Sequence, residues 1–323
     1  MCTALSFISG KHYFGRNLDL AYHYQEAVTV TPREYPFHFL HAPHHTKHFA
    51  IIGIATIAND YPLYYDGTNE AGLSMAGLNF PGNAFYGTDN SKPYTIAPFE
   101  FIPWVLCQCR SVKEAVTLLK STQLCNQSFS PDYCVTDLHW IISDSAQSIT
   151  VEPGKTGLQI SDNPVHVLTN NPPFEYHMNN LQNYHYLSNQ LLDGGMLSTH
   201  SFTPYSNGLG AWGLPGDYSS ASRFVRTVFA AKYGKRPTDE IAAVNQFIRI
   251  LGAVSQIEGC TQEEHGYTKT VYTSCCDTAC GKYYYTTYEN PTIRCVSLSE
   301  KNKNGTVITV YSLDCKRQIL FIN

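Results

Sequence analysis

The sequence predicts an α+β protein in which antiparallel sheets carry helices on their outer faces. Strand-like and helix-like stretches come in blocks, strands then helices and so on to a final run of strands, not in the strict alternation of a parallel doubly wound sheet. The 23 tyrosines and 16 phenylalanines, against 3 tryptophans, suit the half-buried surfaces of strands. At 323 residues, the chain has room for two domains of about 150 residues or one large layered unit, and no repeat, low-complexity run or linker divides it.

Thr3 to Ile8 alternates apolar and polar residues, Ser9-Gly10-Lys11 supplies a turn, and Tyr13 to Leu18 resumes a strand pattern, which predicts a β-hairpin at the N-terminus. Ile51 to Ile57 and Gly72 to Leu78 read as further strands. Ala97 to Gln108 reads as a helix, and Ser111-Val112-Lys113-Glu114 is a capping box opening another through Leu119. Strands gather at Leu138 to Ser143, Ser148 to Glu152 and Val165 to Thr169, and a helical pattern runs from Glu175 towards Leu192. A loop rich in glycine, serine and proline fills Leu197 to Asp217. Ser219 or Ser220 caps a helix to about Tyr233 and Asp239 caps one through Ile250. Strands return at Lys269 to Ser274, Lys282 to Tyr288, Arg294 to Leu298 and Val307 to Leu313.

A formal net charge of −4 with 15% charged residues argues against a nucleic-acid binder, which needs a basic face to neutralise phosphates. No run approaches the roughly 18 consecutive apolar residues of a bilayer-spanning helix, so no membrane insertion is expected. The start Met1-Cys2-Thr3-Ala4-Leu5 lacks the early positive charge of an export signal, which gives the cytoplasm as the expected location. Thiols stay reduced there, so the eleven cysteines, odd in number and irregular in spacing, are expected to be free. Cys107-x-Cys109 and the group Cys275, Cys276 and Cys280 lack the paired spacing of a zinc site, and no metal is expected.

Three patterns that imitate known chemistry have plainer readings. Gly208-Leu209-Gly210-Ala211-Trp212-Gly213 has the spacing of a dinucleotide fingerprint, but Leu214-Pro215-Gly216 follows where a helix is required. Gly72-Leu73-Ser74-Met75-Ala76 lacks the last glycine of a serine-hydrolase elbow. His41, His44, His45 and His48 would share a helical face, yet Pro43 interrupts it and no carboxylate is near, which makes a solvated loop.

Cys2 is different. A small second residue favours removal of the initiator methionine, which would leave the cysteine first, with a free α-amine. An α-amine has an ordinary pKa of about 7.7 to 8.0 and a thiol about 8.5, so near neutral pH the amine can take the thiol proton during attack. Gly15-Arg16-Asn17-Leu18-Asp19 lies on the second strand of the expected hairpin and returns beside Cys2. An arginine there favours thiolate, and a carboxylate holds the amine.

At these residues the chain resembles the choloylglycine hydrolase family of N-terminal-nucleophile amidases, which includes bile salt hydrolases and penicillin V acylases. The landmarks are Cys2-Thr3, Gly15-Arg16-Asn17-x-Asp19 and Asp66-Gly67-x-Asn69-Glu70-x-Gly72-Leu73, then Ala76-Gly77-Leu78-Asn79-Phe80-Pro81, Leu168-Thr169-Asn170, Gly213-Leu214-Pro215-Gly216-Asp217 and Ser222-Arg223-Phe224. Each is weak alone; their order is specific. The resemblance implies a four-layer αββα fold, two antiparallel sheets between helical layers, as one domain over residues 1–323 that assembles as a homotetramer. The loop-rich stretch from Tyr184 to Trp212 is assigned as an assembly excursion, since a long loop without its own structure usually has a function.

The resemblance further implies that Cys2 attacks an amide carbonyl with Arg16 and Asp19 beside it, that Asn79 and Asn170 orient the substrate and stabilise the oxyanion, and that Arg223 is the remaining active-site arginine. Asn171 follows Asn170; the first is taken because it directly follows Leu168-Thr169. Asparagine at position 79, where many penicillin V acylases have tyrosine, points to conjugated bile salts, and Arg16 and Asn79 are also assigned to substrate binding. Penicillin V or acyl-homoserine lactones are the alternative substrates, and a catalytically silent binding protein of the same fold is the second alternative. The loop at Gly208-Leu209-Gly210 resembles a segment tied to the choice between taurine and glycine conjugates and points to taurine. An amphipathic steroid suits a cleft of aromatic and aliphatic loops, which Leu18, Tyr24 and Leu78 are expected to line. No cofactor is implied.

Overall fold

The N-terminal hairpin forms as its alternation requires. In the computed structural model, which describes residues 1–87, 92–192, 194–197, 199–264 and 266–323, β1 (Cys2–Ser9) and β2 (Lys11–Leu20) pair antiparallel. Cys2 stands opposite Leu18, Ala4 opposite Arg16 and Ser6 opposite Phe14. Further strands are Ala27–Thr31 (β3), Ile51–Ala58 (β4), Tyr61–Asn69 (β5), Ser74–Asn79 (β6), Leu138–Ser143 (β7), Ser148–Gly154 (β8), Gly157–Asp162 (β9) and Val167–Leu168 (β10). Lys269–Asp277 (β11), Lys282–Thr287 (β12), Arg294–Ser297 (β13) and Thr309–Ser312 (β14) complete the two large sheets, beside which three short two-strand pairs also form. A six-stranded sheet has the order β10-β1-β2-β11-β12-β13, and an eight-stranded sheet the order β9-β8-β7-β6-β5-β4-β3-β14. Neighbouring strands in both are antiparallel.

Alternation along each strand then sorts side chains into layers. Ile52, Ile54, Ala76, Leu78 and Ile141 of the eight-stranded sheet join Cys2, Ala4, Phe14 and Leu18 of the other in one buried cluster. Ile51, Met75, Trp140 and Ile142 point the opposite way, onto α1 (Phe101–Gln108) and α2 (Val112–Lys120). The outer face of the six-stranded sheet is covered by α4 (Ser220–Tyr233) and α5 (Glu240–Gly252), with α3 (Phe174–Leu181) beside α4. Phe224 and Phe247 bury fully there, Phe247 edge-on to Phe7, and burial of such a ring contributes about 1.5–3 kcal/mol. The result is the expected four-layer αββα arrangement.

The helix starts follow their caps. The side chains of Ser111, Ser219 and Asp239 accept from the main-chain nitrogens of Glu114, Ser222 and Ala242. The capping box at Ser111 is only half formed, because the Glu114 carboxylate takes the nitrogen of Arg110, at 2.7 Å, in place of that of Ser111. The helix expected to run towards Leu192 stops at Leu181, with a single 3-10 turn over Gln182–Tyr184. Asn180 and Asn183 bond to each other there, and asparagine amides compete with the helical ladder. The strand expected from Val165 shrinks to Val167–Leu168 because His166, at φ 59°, leaves the extended region.

Candidate active site

Directly paired residues share a face, so Cys2, Arg16 and Leu18 all project from β1 and β2 into the space between the sheets. Gly15 lets β2 lie close to β11: a Cβ at this position would meet the Ser274 carbonyl oxygen at 2.0 Å. Arg16 is fully buried. Its guanidinium donates to the carbonyl of Gly77 and, at 3.0 Å, to that of Tyr65, which ties it to the facing sheet, and its Nη2 has no hydrogen-bond partner among the described residues. Burial opposes its charge, but Cys2, Tyr272, Asp66 and Asp19 together hold its pKa above the ordinary arginine value. Tyr272 and Tyr283 donate to the buried carboxylate of Asp66, Tyr272 at 2.8 Å.

On the helix side, Asp19 Oδ1 accepts from Thr270 Oγ1 at 2.6 Å, while Oδ2 is buried with no hydrogen bond among the described residues and forms an ion pair with Arg223 Nη1 at 4.0 Å. Burial raises the Asp19 pKa, against the pull of Arg223, the chain's N-terminal charge and Thr270. Arg223 comes from α4, whose first turn is fixed by Asp217 accepting from Ser219 N at 2.8 Å and Ser222 Oγ at 2.5 Å. Arg223 Nη1 donates to the Cys2 carbonyl and, at 2.7 Å, to Thr3 Oγ1, and Nη2 donates to Asn170 Oδ1 at 2.9 Å. Burial lowers its pKa despite Asp19 and Cys2.

Asn170 closes the ring. Its Oδ1 accepts from Cys2 N at 2.7 Å, and its Nδ2 donates to the Asn79 main-chain oxygen at 2.7 Å. Asn171 turns its amide to the Pro81 carbonyl instead, at 2.5 Å. Met1 lies along Asp19: its amine donates to the Asp19 carbonyl at 2.6 Å and its own carbonyl accepts from Asp19 N at 2.9 Å. Cutting the Met1–Cys2 bond would turn Cys2 N from an amide into an amine already aimed at Asn170 Oδ1.

A cavity of 440 Å³ opens beside this cluster, and Cys2, Arg16, Leu18, Tyr24 and Asn79 line it with Phe99, Phe129 and Tyr133. The Asn79 amide makes no hydrogen bond among the described residues and so faces the cavity as a free donor. Leu78, expected on this wall, is not there. Gly77 and Asn79 line the cavity, and strand alternation turns Leu78 between them into the inter-sheet core, fully buried. The turn at Leu209–Ala211 lies away from the cavity. Thr270, Tyr272 and Tyr283 carry no local signal in the sequence; only the presence of Asp66 among the landmarks hints at them. Among the described residues no metal-binding group of histidine, cysteine, aspartate and glutamate side chains comes together, and all eleven cysteines are free.

A model for linear amide C–N hydrolases of the choloylglycine hydrolase family matches residues 2–317. The chain belongs to the choloylglycine hydrolase family. It is therefore a hydrolase of linear amide C–N bonds. Among curated relatives, the bile salt hydrolase/transferase of Lactiplantibacillus plantarum is 44% identical over 324 residues, with 100% of both chains covered. That of Bifidobacterium longum is 37% identical over 316 residues, covering 95% of this chain and 98% of its own. A crystal structure of the conjugated bile acid hydrolase from Clostridium perfringens matches at a TM-score of 0.91 and 35% identity, with 100% of both chains covered. A penicillin V acylase from Agrobacterium tumefaciens, at a TM-score of 0.74 and 20% identity over 96% of this chain and 90% of its own, shares the choloylglycine hydrolase fold.

Proposed function

We propose that this hydrolase cleaves the amide bond between a bile acid and glycine or taurine, with Cys2 as nucleophile. The observation that carries the reading is Cys2 beside Arg16 on the wall of an apolar and aromatic cavity, in a chain whose full-length relatives are named for bile salts. A steroid with an anionic tail fits such a cavity, and Arg16 supplies the buried positive charge.

Removal of Met1 frees the Cys2 amine, held by Asn170 Oδ1 and within the field of Asp19. The amine takes the thiol proton as sulfur adds to the amide carbonyl, and it returns that proton to the departing amino acid. The developing oxyanion meets the free amide of Asn79. Asn170, whose amide is engaged with Asn79 and Cys2, orients the nucleophile. Water then hydrolyses the thioester. Mass spectrometry of products from glycine- and taurine-conjugated bile salts tests this: release by the wild type and none by Cys2→Ala is expected, and equal release by both would end the assignment.

The domain, assembly and location expectations join the proposal. Residues 1–323 are taken as one domain in the cytoplasm. The stretch 184–212, of which residues 193 and 198 lie outside those described, exposes Tyr186, Leu191, Leu192, Phe202, Tyr205 and Trp212, which supports its role as the contact of a homotetramer. A monomer in gel filtration at micromolar concentration would rule that contact out. Among the described residues no helix is long and apolar enough to cross a membrane.

A further inference from the structure

We propose that His139 and His177 are positioning residues: two buried imidazoles that grip the consecutive carbonyls of Thr169 and Asn170 and thereby set Asn170, Asn79 and Arg223 about Cys2. The inference rests on amide hydrolysis at Cys2 as proposed above and assigns the residues that hold its site in register.

Both side chains are fully buried. His139, on β7, places Nε2 2.8 Å from the Thr169 carbonyl oxygen, and His177, on α3, places Nε2 2.8 Å from that of Asn170. A carbonyl only accepts, so each Nε2 carries the hydrogen. Neither Thr169 nor Asn170 lies in a strand or helix, so these carbonyls have no ladder to satisfy them. Among the described residues His177 Nδ1 is buried with no hydrogen-bond partner, and Nε2, which also lies 3.5 Å from Ser220 Oγ, makes its short bond to Asn170, the contact that sets the ring's tautomer. Burial also favours the neutral ring by lowering its pKa. His139 Nδ1 faces Glu152 Oε1 at 3.1 Å, and the same oxygen accepts from Phe174 N at 2.9 Å, so the start of α3 and the His139 ring share one anchor on β8.

The ring faces make the second connection. His139 stacks on Phe80 with centroids 4.2 Å apart and planes 7° apart, and Phe80 follows Asn79 in the chain. His177 stacks on Phe224 at 4.8 Å and 20°, and Phe224 follows Arg223. Each imidazole thus joins the Asn170 segment by its edge and the neighbour of another site residue by its face. Phenylalanine would keep the stacking and lose the edge; a flexible amide would keep the edge and lose the stacking.

The test uses the chain with Met1 removed, and reads kcat and KM on a taurine-conjugated bile salt, the melting temperature, and the pH profile of Cys2 alkylation by iodoacetamide. His177→Phe is expected to lower kcat on the order of a hundredfold with KM little changed, the scale of a small misplacement at a reacting centre, and to shift the alkylation profile. His177→Gln, which keeps an N–H donor within reach of the carbonyl, is expected to recover most of both, and His139→Gln to behave likewise. A folded His177→Phe with wild-type kcat and alkylation profile overturns the proposal, as does equal impairment by phenylalanine and glutamine. If His177→Phe does not fold, His177→Asn, too short to reach the carbonyl, replaces it with the same two outcomes. Alkylation needs no substrate. A wild type that releases no taurine or glycine, with alkylation still shifted in His177→Phe and restored in His177→Gln, sinks the substrate reading and leaves the positioning role standing.

Discussion

The two ends of the β1–β2 hairpin bury polar groups equally deeply and finish them differently. At the end carrying Cys2, neither Arg16 Nη2 nor Asp19 Oδ2 has a hydrogen-bond partner among the described residues, and Asp19 Oδ2 has only its ion pair with Arg223 at 4.0 Å. At the turn end the Tyr13 hydroxyl is likewise left without a hydrogen-bond partner among the described residues, but a chain of hydroxyls and imidazoles beside it is closed: Ser6 Oγ meets His12 Nε2 at 2.9 Å, His12 Nδ1 meets Thr278 Oγ1 at 2.9 Å, and Ser143 Oγ links Ser6 at 2.7 Å to Ser148 at 2.8 Å. Ser148 in turn reaches His166 Nδ1 at 2.8 Å. Buried polar groups are ordinarily satisfied, and a lasting exception needs a reason. The open valence of Arg16, on the cavity wall, is the condition for receiving a polar substrate, whereas the closed chain fastens one sheet to the other.

The contrast breaks most directly at its catalytic end. Cys2→Ala, or a form in which Met1 is retained, is expected to have no measurable turnover while the melting temperature stays near wild type; turnover with Met1 intact would remove the amine from the mechanism. Asn79→Ala should lower kcat by about a hundredfold to a thousandfold, the usual loss of one oxyanion donor, again with the fold intact. Steady-state rates near wild type in well-expressed protein would return Asn79 to a purely structural role.

At the closed end the effects should fall on stability. Burial lowers the His12 pKa to about 4, with His166 pushing the same way and Asp144 and Asp277 opposing, against about 6.5 in the unfolded chain. The unfolded state therefore binds the proton first, so stability is complete above about pH 6.5 and falls as pH drops towards 4, by about 3 kcal/mol in all. Urea unfolding across that window should show a steeper loss of stability in the wild type than in His12→Asn; parallel slopes would detach His12 from acid sensitivity. Ser143→Ala, which breaks the link between Ser6 and Ser148, should cost about 2 kcal/mol with kcat unchanged. A large loss of kcat at wild-type stability would mean that this end, too, takes part in the chemistry.

Much of the fold was legible because its signals are local. The hairpin, α4 with Ser219 before it and α5 with Asp239 before it were readable from alternation and caps within single stretches. The strands β5 and β9 were not, since Tyr61–Asn69 and Gly157–Asp162 carry proline, glycine or charged residues that blur the period, and their pairing comes from β4 and β8; β3, Ala27–Thr31, alternates but is only five residues long. The site landmarks were legible as short motifs in order. Several turn out to be structural in action: Asn69 fixes a turn by accepting from Ala71 N and Leu73 N while donating to Leu106 O and Cys109 O, and Glu70 binds Arg33.

What the sequence alone determined is the hairpin that sets Arg16 on the same face as Cys2, because strand period and a short turn admit one register. Only the tertiary structure decided that Arg223, 221 residues from Cys2, would hold its carbonyl, that Thr270, 251 residues from Asp19, would hold its carboxylate, and that Leu78 would face the core while Asn79 faces the cavity. Those outcomes depend on sheet order and on which face of β6 meets the other sheet. Such choices are made by packing between elements distant in the chain, and no local pattern encodes them.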